Sequence, residues 1–309
     1  MEKFKSWESI LGLVGIAFFQ VLILSLISQK RREKVADWFS DGWRIFFLPL
    51  IFLTINLSLN LLVGNFYWQN FNRLVLYFGI PTVILYFAGQ RKYPLGWIEL
   101  LVILCLWMPV ELRLILKGWK TGGISYPFVA YSAILYSLIV FTGLRKLDFQ
   151  LSWRTKKSDW GFAAVIYAVS LLIIAPIAYY IGFVAPELNP TVIKYPLVAP
   201  VIFWMFLFAP ALAEEIIFRG VIQNVLMDRF RPIIGLGFSA TIFGLAHFNN
   251  RFTVNGIDWG YPNWTYVIFA TIAGFGYGQV YHKTKSLGVT AVLHASIDFT
   301  WWLFLKGGR

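Results

Sequence analysis

Apolar residues in this chain gather into long continuous runs separated by short polar connections, with no sustained alternation. The runs fall at about 8–28, 45–67, 74–89, 95–116, 125–143, 161–182, 198–227, 233–248, 264–281 and 287–305. Most approach the length of roughly 20 residues that a helix needs to cross the hydrocarbon of a bilayer. The third and eighth are shorter, and the seventh is long enough to tilt or to project into water. A spanning segment has no water to satisfy its backbone, so helices are the predicted element. The expected fold is all-α, a polytopic transmembrane helical bundle of about 8–10 spans. The connection at 183–197, with three prolines, predicts a surface loop or an interfacial segment. No internal repeat and no low-complexity segment interrupts the pattern.

Composition strengthens this reading. The 309 residues are 58% hydrophobic and 14% charged, whereas soluble domains lie near 45–50% apolar and about 25% charged. The 14 tryptophans suit a bilayer protein whose indoles collect at headgroup depth. A net charge of +12 would suggest nucleic acid in a soluble chain, but here the basic residues occupy short loops between apolar runs. The bilayer itself is the expected partner, and no nucleic acid is expected. Sixteen of the 27 lysines and arginines lie in loops that follow odd-numbered runs. This asymmetry predicts that those exits are cytoplasmic and both termini outside. The first run lacks a small-residue cleavage site, so a retained span is expected rather than a signal peptide. Cys105, the single cysteine, lies in an apolar run and can form no internal disulfide.

Three polar phrases interrupt the later runs: AEEIIFRG at 213–220, FGLAH at 243–247 and LHASID at 293–298. An ionised side chain at mid-bilayer costs roughly 2.5–3.5 kcal/mol on insertion scales, so such groups usually mark a functional pathway. Glu215 and Arg219 are four apart and pair along one helical face, whereas Glu214 is rotated by about 100° from Glu215. The expected division has Arg219 neutralising one carboxylate while the other faces a cavity. Two adjacent carboxyls in a dry site resist double ionisation, which suits one of them to take a proton from water. His247 lies one turn after Phe243, and alone it reads equally well as a packed core histidine. His294 and Asp298 are again four apart, an arrangement that fixes an imidazole or simply joins two helices. Spanning alone explains no single phrase, and together they suggest hydrolytic chemistry.

The phrases EE-x-x-x-R (Glu214, Glu215, Arg219), F-x-x-x-H (Phe243, His247) and H-x-x-x-N/D (His294, Asp298) resemble, in order, the signature of the CPBP intramembrane protease family. This family, also called Abi, includes CAAX prenyl endopeptidases and bacteriocin-processing or immunity proteins. The resemblance covers about 198–305 and implies a membrane endopeptidase built on a conical helical bundle. It implies that Glu214 activates water, that His247 helps to hold it, and that Glu215 and Arg219 organise the site. His294 and Asp298 would stabilise the oxyanion. A carboxylate, unlike an amide, donates no hydrogen bond unless protonated, which leaves Asp298 the alternative of orienting His294. The implied domains are a helical region of unknown role at 1–197 and a protease-like core of four spans at 198–309. The implied partner is a membrane-associated peptide or protein substrate, and family breadth suggests a bacterial plasma membrane.

Two alternatives stay open. Glu214, His247 and His294 would make a His₂Glu set for catalytic zinc, although the family is usually described as glutamate-type and no cofactor is the preferred expectation. The chain would otherwise be a catalytically silent scaffold or immunity factor, or a proton-coupled transporter with a buried Glu–His relay. Glu99 reads as a tolerated residue at a helix interface, and Asn56 and Asn60 as groups that hold helices together. The GFGYG segment at 274–278 predicts close helix approach beside the site, and His282 opens a basic loop.

Overall fold

The computed structural model describes residues 7–62, 68–89, 96–111, 114–115, 125–149, 151 and 155–306. The basic loop expected at 90–94, and part of that at 144–160, lie outside these residues. The described chain is a helical bundle with only two short two-stranded sheets. It divides into two compact units, Met1–Phe149 and Gln150–Arg309.

The first unit holds α1 (Trp7–Ser25), α2 (Gln29–Phe39), α3 (Phe47–Leu62), α4 (Trp68–Ala88), α5 (Trp97–Glu111) and α6 (Ser125–Gly143). The chain bends by 100° between α1 and α2. A helix end leaves its last carbonyls without partners. Arg32 supplies them from the following helix, its Nη1 donating to Leu26 O at 2.9 Å and Ile27 O at 3.2 Å. Residues 29–39, expected as loop, are therefore helical and polar on their outer face. Asn56 donates to Ser132 Oγ at 2.8 Å and so ties α3 to α6, as its position suggested. Glu99 is buried in a closed ion pair, with Oε1 2.5 Å from Arg145 Nε and Oε2 accepting from Gly96 N at 2.6 Å.

In the second unit, α7 (Lys157–Val169) continues through a π-helical stretch, Ser170–Ile174, into α8 (Ala175–Tyr180). Strand β1 (Ala185–Pro186) and the short α9 (Pro190–Lys194) follow. A second helical run extends from Val198 to Arg229, as α10 (Val198–Phe206), α11 (Leu212–Glu215) and α12 (Asn224–Arg229). Two π-helical stretches, Leu207–Ala211 and Ile216–Gln223, join its pieces. Then come α13 (Pro232–Leu245), the hairpin β2 (Phe252–Val254) and β3 (Ile257–Trp259), α14 (Trp264–Thr284), α15 (Leu287–Phe304) and β4 (Leu305–Lys306). β1 pairs antiparallel with β4, so the proline-containing connection docks on the end of α15. Glu187 N and Asn189 N add bonds of 2.9 Å to Phe304 O and Leu303 O.

Each expected apolar run is helical over most of its length, but helix breaks shorten many of them. Among the described residues, four stretches are long and apolar enough to cross a bilayer: Gly42–Leu62, Trp68–Ala88, Lys157–Tyr180 and Leu287–Phe304. The bent α1–α2 pair makes a fifth when taken as one span, and Trp97–Val110, Phe128–Gly143 and Pro232–Leu245 are shorter apolar helices. In the second unit α13 and α14 lie face to face. A Cβ at Gly274 would stand 2.8 Å from Phe243 Cδ1, and one at Gly244 would stand 2.6 Å from Val267 O. Only glycine permits that approach, which is how small residues act at membrane helix interfaces.

Candidate active site

The local geometry begins with the π-helical stretch Ile216–Gln223, which follows directly on Glu215. Bonding from i to i+5 widens the turn, so residues four apart stay near one face; such segments are rare and concentrate at functional sites. Glu215, Arg219 and Gln223 form that face, and all three are buried. Arg219 Nε lies 3.1 Å from Glu215 Oε2, and Arg219 Nη2 donates to Gly274 O at 3.0 Å. Gln223 repeats the contact one turn on, with Nε2 donating to Gly278 O at 3.0 Å. The Arg219 guanidinium also lies 4.4 Å from the Phe243 ring centroid, within cation–π range. The glycines of the 274–278 segment thus expose the carbonyls that anchor the π-helical face.

Glu215 hands this network on to α15. Its Oε1 lies 2.8 Å from His294 Nδ1, and because a carboxylate accepts, Nδ1 carries the proton. The opposite nitrogen, Nε2, faces two further carboxylates, Asp298 Oδ2 at 3.5 Å and Glu214 Oε2 at 3.9 Å. Glu215 therefore orients the imidazole, whereas Asp298 stands on its other edge. The expected split between adjacent glutamates is present: the Glu215 side chain is fully buried against Arg219, while that of Glu214 is 30% exposed.

His247 lies just past the end of α13. Its backbone N–H donates to Gly244 O, leaving Phe243 O open to its own Nδ1 at 2.9 Å. A carbonyl only accepts, so Nδ1 donates here, and in the neutral ring Nε2 is left as an acceptor. A helix-terminal carbonyl thus fixes this imidazole.

One cavity of about 470 Å³ collects these groups. Glu214, His247, His294 and Asp298 line it, together with Tyr266, Tyr277, Asn250 and an apolar wall that includes Phe206, Phe269 and Trp301. Glu215 and Arg219 stand behind the lining. All six residues singled out from the sequence meet in one place, contributed by the 198–229 run, the end of α13, and α15. Glu214 Oε2 has no hydrogen-bond partner, the kind of orphan acceptor that calls for an explanation. Tyr266, Tyr277, Gln223 and Asn250 join the site without having been singled out as part of it. Their tyrosines resembled ordinary membrane aromatics, and the one available signal was Gln223 at the same four-residue interval after Arg219.

Among the described residues, no group of three or more His, Cys, Asp and Glu side chains is disposed to hold a metal ion. Both Nδ1 atoms donate to protein acceptors, which leaves each Nε2 available as a ligand, but Glu214, His247 and His294 as placed do not form a set for zinc.

Fold and site together define an integral membrane protein of many helices, with carboxylates and imidazoles converging on a cavity among them. Residues 196–300 match the family model described as "Rce1-like: Type II CAAX prenyl endopeptidase Rce1-like". The segment that carries the site thus matches the CAAX protease family that the three phrases resemble, and the match encloses all six residues. No curated protein and no solved structure matches the chain.

Proposed function

We propose that this protein is an intramembrane endopeptidase in which Glu214 activates the attacking water. The observation that carries the reading is the single cavity shared by Glu214, His247, His294 and Asp298, with the Glu215–Arg219 pair fixed behind it. Water held between Glu214 and the His247 Nε2 acceptor gives a proton to the Glu214 carboxylate as its oxygen attacks the peptide carbonyl carbon. The tetrahedral oxyanion collapses as Glu214 passes that proton to the departing amide nitrogen, and the C–N bond breaks to give an acid and an amine. General-base assistance of this kind typically contributes about 10²–10⁴-fold. Glu215 and Arg219 hold His294 in one orientation, so its Nε2 edge stays beside both Glu214 and Asp298.

The aromatic and aliphatic wall suits an apolar segment of a membrane-associated peptide or protein. We place the protein in a bacterial plasma membrane, with no metal required. The test compares peptides from the membranes and medium of cells carrying wild-type or Glu214→Gln protein. Specific fragments should disappear with the variant, because the amide keeps the shape but cannot take the proton. An unchanged peptide pool alongside intact biological function would instead support the scaffold alternative.

A further inference from the structure

Each histidine of the cavity carries a tyrosine against its ring. Tyr266 stacks on His247 with centroids 5.3 Å apart and planes at 15°, and Tyr277 stacks on His294 at 4.5 Å and 23°. Both tyrosines line the cavity. Tyr277 is only 2% exposed, yet its hydroxyl has no hydrogen-bond partner among the described residues. A buried phenol ordinarily finds an acceptor. One that lines a polar cavity without a protein acceptor has its donor left for whatever enters.

The proposed hydrolysis needs such a donor. Negative charge develops on the carbonyl oxygen of the scissile peptide, and stabilising it requires hydrogen-bond donors aimed at that oxygen. The neighbouring carboxylates of Glu214 and Asp298 accept hydrogen bonds when ionised, and Ser170, also on the cavity wall, spends its hydroxyl on Ile166 O at 2.9 Å. The Tyr277 ring, by contrast, lies flat on the imidazole whose Nε2 is 3.9 Å from Glu214. That contact sets the phenol beside the base.

We propose that Tyr277 is a further catalytic residue, whose O–H donates a hydrogen bond to the oxyanion. The inference rests on the peptidase reading above and names a neutral donor within it. The phenol keeps its proton throughout; the proton of the attacking water still travels by way of Glu214 to the leaving nitrogen. Asp298 then needs no proton of its own to serve the site.

The decisive variant is Tyr277→Phe, which preserves the ring and its stacking and removes one oxygen. With a peptide identified by the fragment comparison, kcat should fall about 10²–10³-fold, as for other oxyanion donors, while KM changes little. A phosphinic analogue of that peptide, which mimics the tetrahedral oxyanion, should lose affinity in parallel with kcat. Rates are taken per binding-competent molecule, counted with labelled substrate peptide, so that lost protein lowers the count rather than the rate. A Tyr277→Phe enzyme with unchanged kcat, or one impaired only in KM, would overturn the assignment. Full turnover by Glu214→Gln would overturn the role of Glu214 as base, and a peptide pool unchanged between wild type and variant would overturn the peptidase reading itself, so these failures are distinguishable from that of Tyr277.

Discussion

Each unit of the protein buries an arginine–glutamate pair, and the two pairs end differently. In the first unit, Glu99 is complete: Arg145 takes one oxygen and the Gly96 N–H the other. Arg145 also donates to Gly89 O at 3.1 Å. In the second unit, the Glu215–Arg219 pair continues through His294 to Glu214 and Asp298, and those two carboxylates face a cavity. Burial of charge is common to both and therefore does not identify chemistry. What distinguishes the second site is an ion pair that holds a third group in place, with an acceptor left unsatisfied beside open space.

Removing each arginine in turn sharpens the contrast most. Arg219→Met leaves Glu215 buried without its cationic partner, which should cost about 3–5 kcal/mol of stability and abolish turnover as the carboxylate that orients His294 loses its anchor. Arg145→Met should destabilise by a similar amount, while the rate per folded molecule stays at the wild-type value. Thermal unfolding in detergent and peptide turnover, measured on both variants, separate the two outcomes. If both variants lost turnover per folded molecule, the contrast between a structural and a functional pair would be broken.

A smaller effect is expected at the interface that carries the anchoring carbonyls. Gly274→Ala would press a Cβ onto Phe243, and overpacking of this kind typically costs about 1–3 kcal/mol. Because Gly274 O accepts from Arg219, kcat should fall as well. The corresponding change in the first unit, Asn56→Ala, removes the bond to Ser132. Between membrane helices such bonds average about 0.6 kcal/mol, so its unfolding midpoint should shift slightly and its kcat not at all. Among the cavity residues, Asp298→Asn should have only a small influence on turnover, within a few-fold of wild type, because an amide offers a donor where the carboxylate offers charge. A loss as large as that of Arg219→Met would assign Asp298 a direct role in proton transfer.

The difference between the units was only partly legible in the sequence. The apolar runs and the six polar residues were plain, since polar groups at that depth stand out against their surroundings. The phrase containing Glu214, Glu215 and Arg219 even implied its division of labour. The partner of His294 was less accessible: spacing favoured Asp298, four residues along α15, whereas Glu215 reaches Nδ1 from another helix. That reach depends on π-helical turns, which leave no periodic mark in a run that is almost wholly apolar. Tyr266 and Tyr277 were hidden for a related reason. Among 15 tyrosines in a membrane protein, most serve packing or the headgroup belt, and only the stacking on His247 and His294 sets these two apart. The polar stretch after α1 read as loop because its helix is joined by Arg32 to the Leu26 and Ile27 carbonyls of the turn that follows α1, a bond that spacing does not announce.

The central claim is that side chains from separate helices meet around one water and that Glu214 takes its proton. Membranes containing either wild-type or Glu214→Gln protein, incubated in ¹⁸O-labelled water, test it directly by mass spectrometry of newly formed peptide C-termini. The account predicts labelled carboxyl termini at defined positions with the wild-type protein and none above background with the variant. The same labelled termini, formed at the same rate by Glu214→Gln, would contradict it.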